Sequence, residues 1–189
     1  LFRSLVRALL LFVGLLLTVW CLTGVVMMYA PYPRLTPEER RAGLVPLDLS
    51  RCCRVEALNI ADQAKVTRFS LTMSAGTPVL RLTTDLGGAQ AFDLTNGRAL
   101  DAVGAEHATA IAAEFLARRG DTSGARPPAL IDHDEWTANL EGGPFWRISF
   151  DSGAQVHVRQ STGEVVQEST RTERFWNRVG AIPHWQSLI

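Results

Sequence analysis

The sequence has no surplus of charge: its 19 lysines and arginines are balanced by 19 aspartates and glutamates. It also has no basic stripe interleaved with aromatics, so nothing in it suits a nucleic-acid partner. Cysteine is scarce, with three in 189 residues, too few for a disulfide framework. Cys21 lies in an apolar run and reads as a small lipid- or helix-facing side chain. Cys52 and Cys53 are neighbours, and a bridge between neighbours closes a small strained ring. They are therefore expected as two small positions on a helix rather than as a structural disulfide.

Catalytic motifs are missing too. The four histidines are His107, His133, His157 and His184, and none has the spacing of a metal-ligand motif. No glycine-rich phosphate loop follows a strand, and no serine sits beside a histidine and an acid in a recognisable motif. His107 opens a helix and reads as a surface residue. His157 alternates with Val156 and Val158 and is expected to face water or a partner. Asp132, His133, Asp134 and Glu135 form the densest group of metal-ligand types. On a strand they fall alternately on opposite sides, which favours a solvated edge strand over a metal site.

What the sequence does have is one long apolar run. Residues 8–29 contain no charged side chain, and at about 1.5 Å per residue they cover a hydrocarbon core of about 30 Å. Thr18 and Thr23 can return their hydroxyls to the helix backbone, Tyr29 and Tyr32 stand where an interfacial aromatic belt lies, and Pro31 and Pro33 stop the helix. Arg3 and Arg7 make a basic start like that of a signal peptide. The apolar core, however, exceeds the usual length of about 7–15 residues, and there is no small residue two positions before Ala30. A retained anchor is the better reading. Arg34, Arg40 and Arg41 follow the span closely, so the positive-inside count does not orient it. The chain starts at Leu1 rather than Met and ends on apolar residues, so both ends read as cut from something longer.

Residues 31–49 read as a proline-rich linker with at most one helical turn after Thr36. Beyond it the chain repeats itself. At an offset of 66, Pro78, Arg81, Asp85, Gly87 and Gly97 recur as Pro144, Arg147, Asp151, Gly153 and Gly163, with apolar residues recurring at Leu80/Trp146, Leu82/Ile148 and Phe92/Val158. Leu80 and Leu82, and Trp146, Ile148 and Phe150, have the period of half-buried strands, with Arg81, Arg147 and Ser149 on the wet face. Turns at Asn96-Gly97 and Thr162-Gly163 complete two three-strand meanders. Phe69, Leu71 and Met73, and the stretch from Leu130 to Trp136, suggest one further strand each. The repeated Arg81 and Arg147 are candidates for binding an anion on the outer face, although cross-strand charge pairing is the more usual role for such residues.

Each meander has a helix candidate ahead of it. Behind Ser50 as N-cap, Cys53, Ala57, Ile60, Ala61 and Ala64 recur at helical spacing. Ala108, Ile111, Ala112, Phe115 and Leu116 do the same, with Glu106 in the first turn, Arg118 and Arg119 in the last, and Gly120 as C-cap. The expected fold class is α+β: a transmembrane helix (1–30), the linker (31–49), and two helix-on-meander units (50–103 and 104–172). A final segment, 173–189, carries Phe175, Trp176 and Trp185 among Arg174 and Arg178. Such an amphipathic segment suits a return to the membrane interface; packing of Phe175 and Trp176 on a sheet is the alternative.

This layout resembles the PepSY-associated transmembrane family, the iron-regulated membrane proteins. The resemblance rests on the span ending in Leu22, Thr23 and Gly24, the two repeated units, and the run Gly180, Ala181, Ile182, Pro183, His184, Trp185. It implies a multi-span protein of the bacterial inner membrane, with tandem PepSY-like units on the periplasmic side between the first and second spans. Some members look like haem-bearing reductases of ferric siderophores. Haem b in such a bundle takes axial histidines from the spans. The span here has none, so His184, at the mouth of a second helix, is the one candidate ligand. The lack of catalytic residues favours the alternative of a non-catalytic, membrane-anchored PepSY-like module for binding or regulation, such as peptidase inhibition or sensing, in which the two sheets hold a protein or peptide partner.

Overall fold

The computed structural model describes residues 2–50, 52–53, 65–85 and 89–181. The protein is α+β, with an N-terminal apolar helix and two four-stranded antiparallel sheets. It divides into two compact units, one made of residues 1–33 with 169–189 and the other of residues 34–168.

In the first unit, helix α1 runs from Phe2 to Tyr29. Its 28 residues give about 42 Å at 1.5 Å each, enough to cross a bilayer. The Thr18 hydroxyl donates to Gly14 O at 2.8 Å and that of Thr23 to Trp20 O at 3.0 Å, as expected of hydroxyls in an apolar helix. Leu9, Leu10, Leu11, Phe12, Leu15 and Leu17 all present bare apolar surface. Helix α4, Arg171–Val179, starts from a capping box in which Thr170 and Glu173 satisfy each other's backbone N–H groups. It is fastened to the end of α1: Asn177 Nδ2, fully buried, donates to Pro31 O at 3.2 Å. Gly180 lies so close to Val26 that a Cβ there would sit 2.8 Å from Val26 Cγ1.

The second unit opens with α2, Pro37–Gly43, longer than the single turn expected. Its Thr36–Glu39 capping box and the proline in its first turn explain the extra length. The first sheet has the order β1 (Val66–Ser74), β2 (Thr77–Thr84), β3 (Ala89–Asp93), β4 (Arg98–Ala99). After α3 (Ala105–Arg118), the second repeats that order with β5 (Ala129–Ile131), β6 (Phe145–Ser149), β7 (Gln155–Arg159) and β8 (Val165–Ser169). The internal repeat is therefore real as architecture, since the register pairing Leu80 with Phe92 recurs as Trp146 with Val158.

The apolar face of α3 settles on β6 and β7. Ala108, Ile111, Ala112, Phe115 and Leu116 pack with Ile148, Phe150, Val156 and Val158, where each large side chain contributes roughly 1.5–3 kcal/mol. Trp146 Nε1 donates to Val103 O at 2.6 Å, tying the connection before α3 to the sheet. The helix expected over Cys53 to Ala64 lies mostly outside the described residues. Of its stretch, Cys52 and Cys53 are described and are not helical. They are bonded to each other as a disulfide across a cis peptide that brings their Cα atoms to 3.1 Å, which corrects the expectation of two small helix positions without a disulfide.

Candidate functional site

Two sequence expectations fail at the same point, the assumption that one face of each sheet is wet. Arg81 is buried, only 8% exposed. Its Nε donates to Thr162 O at 2.8 Å, its Nη2 to Gly163 O at 3.2 Å, and its Nη1 to the Thr72 hydroxyl. The guanidinium thus joins the first sheet to the Thr162-Gly163 turn of the second. Arg147, its counterpart in the repeat, is only half-buried and lies 3.4 Å from Asp134. The repeated arginine therefore serves two different ends, and neither is a free outer-face anion site.

His157 likewise corrects its expectation of facing water, being fully buried. The 132–144 connection folds over the sheet face opposite α3, bringing Trp136 and Thr137 into the interior. Asp134 is not on an edge strand, because β5 ends at Ile131. Instead its Oδ1 accepts from the backbone N–H groups of Trp136 and Thr137 and from the Thr137 hydroxyl, at 3.0–3.1 Å. Its Oδ2 lies 3.0 Å from His157 Nε2. Burial pushes the Asp134 carboxyl up, but the His157 hydrogen bond and charge, with the bonds from Trp136 and Thr137, outweigh it and hold the group well below the usual carboxylate range. His157 Nδ1 is buried with no hydrogen-bond partner among the described residues.

Between the sheets lies a cleft of about 470 Å³ whose lining includes Arg40, Arg68, Arg81, Arg159, Glu141 and Glu164. Glu164 Oε1 accepts from Arg40 at 2.8 Å and Oε2 from Arg159 at 2.9 Å. Burial draws the Arg81 guanidinium down from its usual range; Glu164 opposes this, while Arg159 and Arg40 add to it. Arg81 remains a cation at neutral pH. No spacing in the sequence foretold this cleft, because its cations come from four separate segments.

The other predicted residues lie apart. His107 is exposed in the first turn of α3. His133 is exposed, with Nδ1 3.0 Å from Thr137 O and its ring edge-on to Phe145. No group of three or more metal-ligating side chains occurs among the described residues. His184, the candidate haem ligand, lies outside them. Since α1 carries no histidine, the donors among the described residues do not fit an intramembrane haem. No family model, curated protein or solved structure matches this chain.

Proposed function

We propose that α1 is a retained membrane anchor, and that residues 34–168 form the periplasmic, tandem PepSY-like domain of a multi-span protein of the bacterial inner membrane. The observation that carries this reading is the fastening of α4 to the end of α1, through Asn177 on Pro31 and Gly180 on Val26. The chain leaves the apolar helix and comes back to the same end of it. That is the path of a domain inserted between two spans, with residues 173–189 leading to the second. Exposed Phe175 and Trp176 on α4 suit the interface that such a path crosses. On this reading the protein serves iron uptake, as a component of ferric-siderophore reduction, with haem held by spans beyond this one.

The test has two arms on the full-length protein. An anchor stays in the membrane pellet after carbonate extraction and gives an intact mass that includes residues 2–29. A mass lacking them would identify a signal peptide and sink the proposal. A cysteine placed at exposed Ala138 should react with an impermeant maleimide from the periplasmic side. A Soret band from the purified protein would support the redox role, and its absence would rule the haem version out.

A second reading, a non-catalytic binding or regulatory module, is favoured by the cleft between the sheets. It is also favoured by the full burial of His157, whose partner Asp134 keeps only 12% of its side chain exposed, which leaves that acid–base pair little access to a substrate.

A further inference from the structure

Among the described residues, the cleft has more positive charge than its carboxylates neutralise. Glu164 is the acceptor for both Arg40 and Arg159, one on each oxygen. Arg81 has no carboxylate partner among the described residues, since its hydrogen bonds run to two backbone carbonyls and a hydroxyl. Among the described residues, three guanidiniums thus share one carboxylate, leaving a surplus of two positive charges, with Arg68 adding a fourth cation at the exposed rim. Glu141 does little to offset this, as it meets Arg159 through its backbone carbonyl, 3.0 Å from Nη2, and its side chain is exposed. Cations held against low-dielectric walls are costly without a counter-charge, and they focus potential into the cavity they line.

Two details aim this charge at a ligand. Arg159 gives one Nη1 N–H to Glu164 and one Nη2 N–H to the Glu141 carbonyl, so each of these nitrogens keeps a second N–H donor in reserve. Gly142 brings the backbone so close that a Cβ there would lie 3.2 Å from Arg159 Nε, so any side chain at this position would crowd the head group. The volume of about 470 Å³ falls within the range of small-molecule sites, roughly 300–1,000 Å³.

We propose that this cleft binds a small anion carrying two or more negative charges on carboxylate or phosphate oxygens, contacted by Arg159 and Arg68, with Arg40 and Arg81 setting the potential. Planar guanidinium forks match both oxygen geometries. The inference goes beyond the membrane reading and stands apart from it, because a detergent-solubilised chain tests the cleft whichever way α1 is used.

The experiment is calorimetric titration of the full chain in neutral detergent, at low salt, with citrate in one arm and inorganic pyrophosphate in the other. Saturable binding of either is expected, and the arm that binds names the oxygen chemistry. Arg159→Gln and Arg68→Gln should each weaken it by about tenfold, the size of one lost charge-assisted contact. Arg68 is exposed, so its variant should unfold at the wild-type temperature, which keeps the result readable if Arg159→Gln folds poorly. No saturable heat from either anion with folded protein, or binding unchanged in Arg68→Gln and in any folded Arg159→Gln, would overturn the proposal.

Discussion

Asp134 Oδ2 lies 3.0 Å from His157 Nε2, joining a turn to the centre of a strand 23 residues away. The pair pins the 132–144 connection onto the face of the second sheet that α3 leaves open. Asp134 also organises its own turn, through Trp136 and Thr137.

Replacing Asp134 therefore removes several acceptors at once. Asp134→Asn should destabilise the folded chain by about 2–3 kcal/mol, the scale for a buried hydrogen-bonded charge. The effect carries a pH signature. Because the folded-state pKa is depressed, the carboxylate's contribution is fully present above the unfolded value of about 3.9 and is lost as pH falls below it. Thermal unfolding followed by near-ultraviolet circular dichroism should show a wide wild-type–variant gap at pH 7 that narrows below about pH 4. A gap constant down to pH 3 would contradict this account.

The strand order, the repeat, α1 and the core face of α3 were legible because each depends on local periodicity. The wet face of the sheets was not. Strand alternation tells which residues share a face, but not whether a distant loop covers the other one. Arg81 and His157 alternate with Leu80, Leu82, Val156 and Val158 as polar strand residues should, yet both are buried. The signal for His157 lay outside its own strand, in Trp136, an aromatic in a connection too polar to be a strand. Arg81 offered no such signal, because its partners are two backbone carbonyls and a hydroxyl on the neighbouring strand.

Arg81 gives the next prediction. Arg81→Met removes a buried cation but strands the carbonyls of Thr162 and Gly163, and each unpaired buried group costs about 1–3 kcal/mol. The neighbouring cleft can admit water to part of this surface, so the net loss should be about 1–3 kcal/mol. Arg81→Lys, which keeps the charge without the fork, should fall between wild type and Met. Thermal unfolding of the three proteins side by side checks the order.

Gly43, at the end of α2, packs against the ring of Phe115, leaving no space for a Cβ. Phe115 belongs to the buried face of α3 and is only 3% exposed, so it cannot simply swing away. Gly43→Ala should cost about 1–3 kcal/mol by overpacking. The double variant Gly43→Ala, Phe115→Leu should recover part of that loss, and a double-mutant cycle showing no coupling would mean that the two residues do not meet.

The role of α1 can be tested at its middle. Leu17 is exposed and stands near the centre of the apolar run, far from either end to which an arginine could snorkel. If α1 crosses a bilayer, Leu17→Arg puts a charge at mid-depth, where insertion costs about 2.5–3.5 kcal/mol per residue. The membrane-integrated fraction of the full chain, measured by carbonate extraction, should fall sharply. Leu17→Ala controls for the lost side-chain volume and should stay integrated. Arg3 and Arg7 already sit at the start of α1, so an added arginine at position 5 should change little. If Leu5→Arg and Leu17→Arg reduced integration equally, depth would not be what the helix senses, and α1 would not be a membrane span.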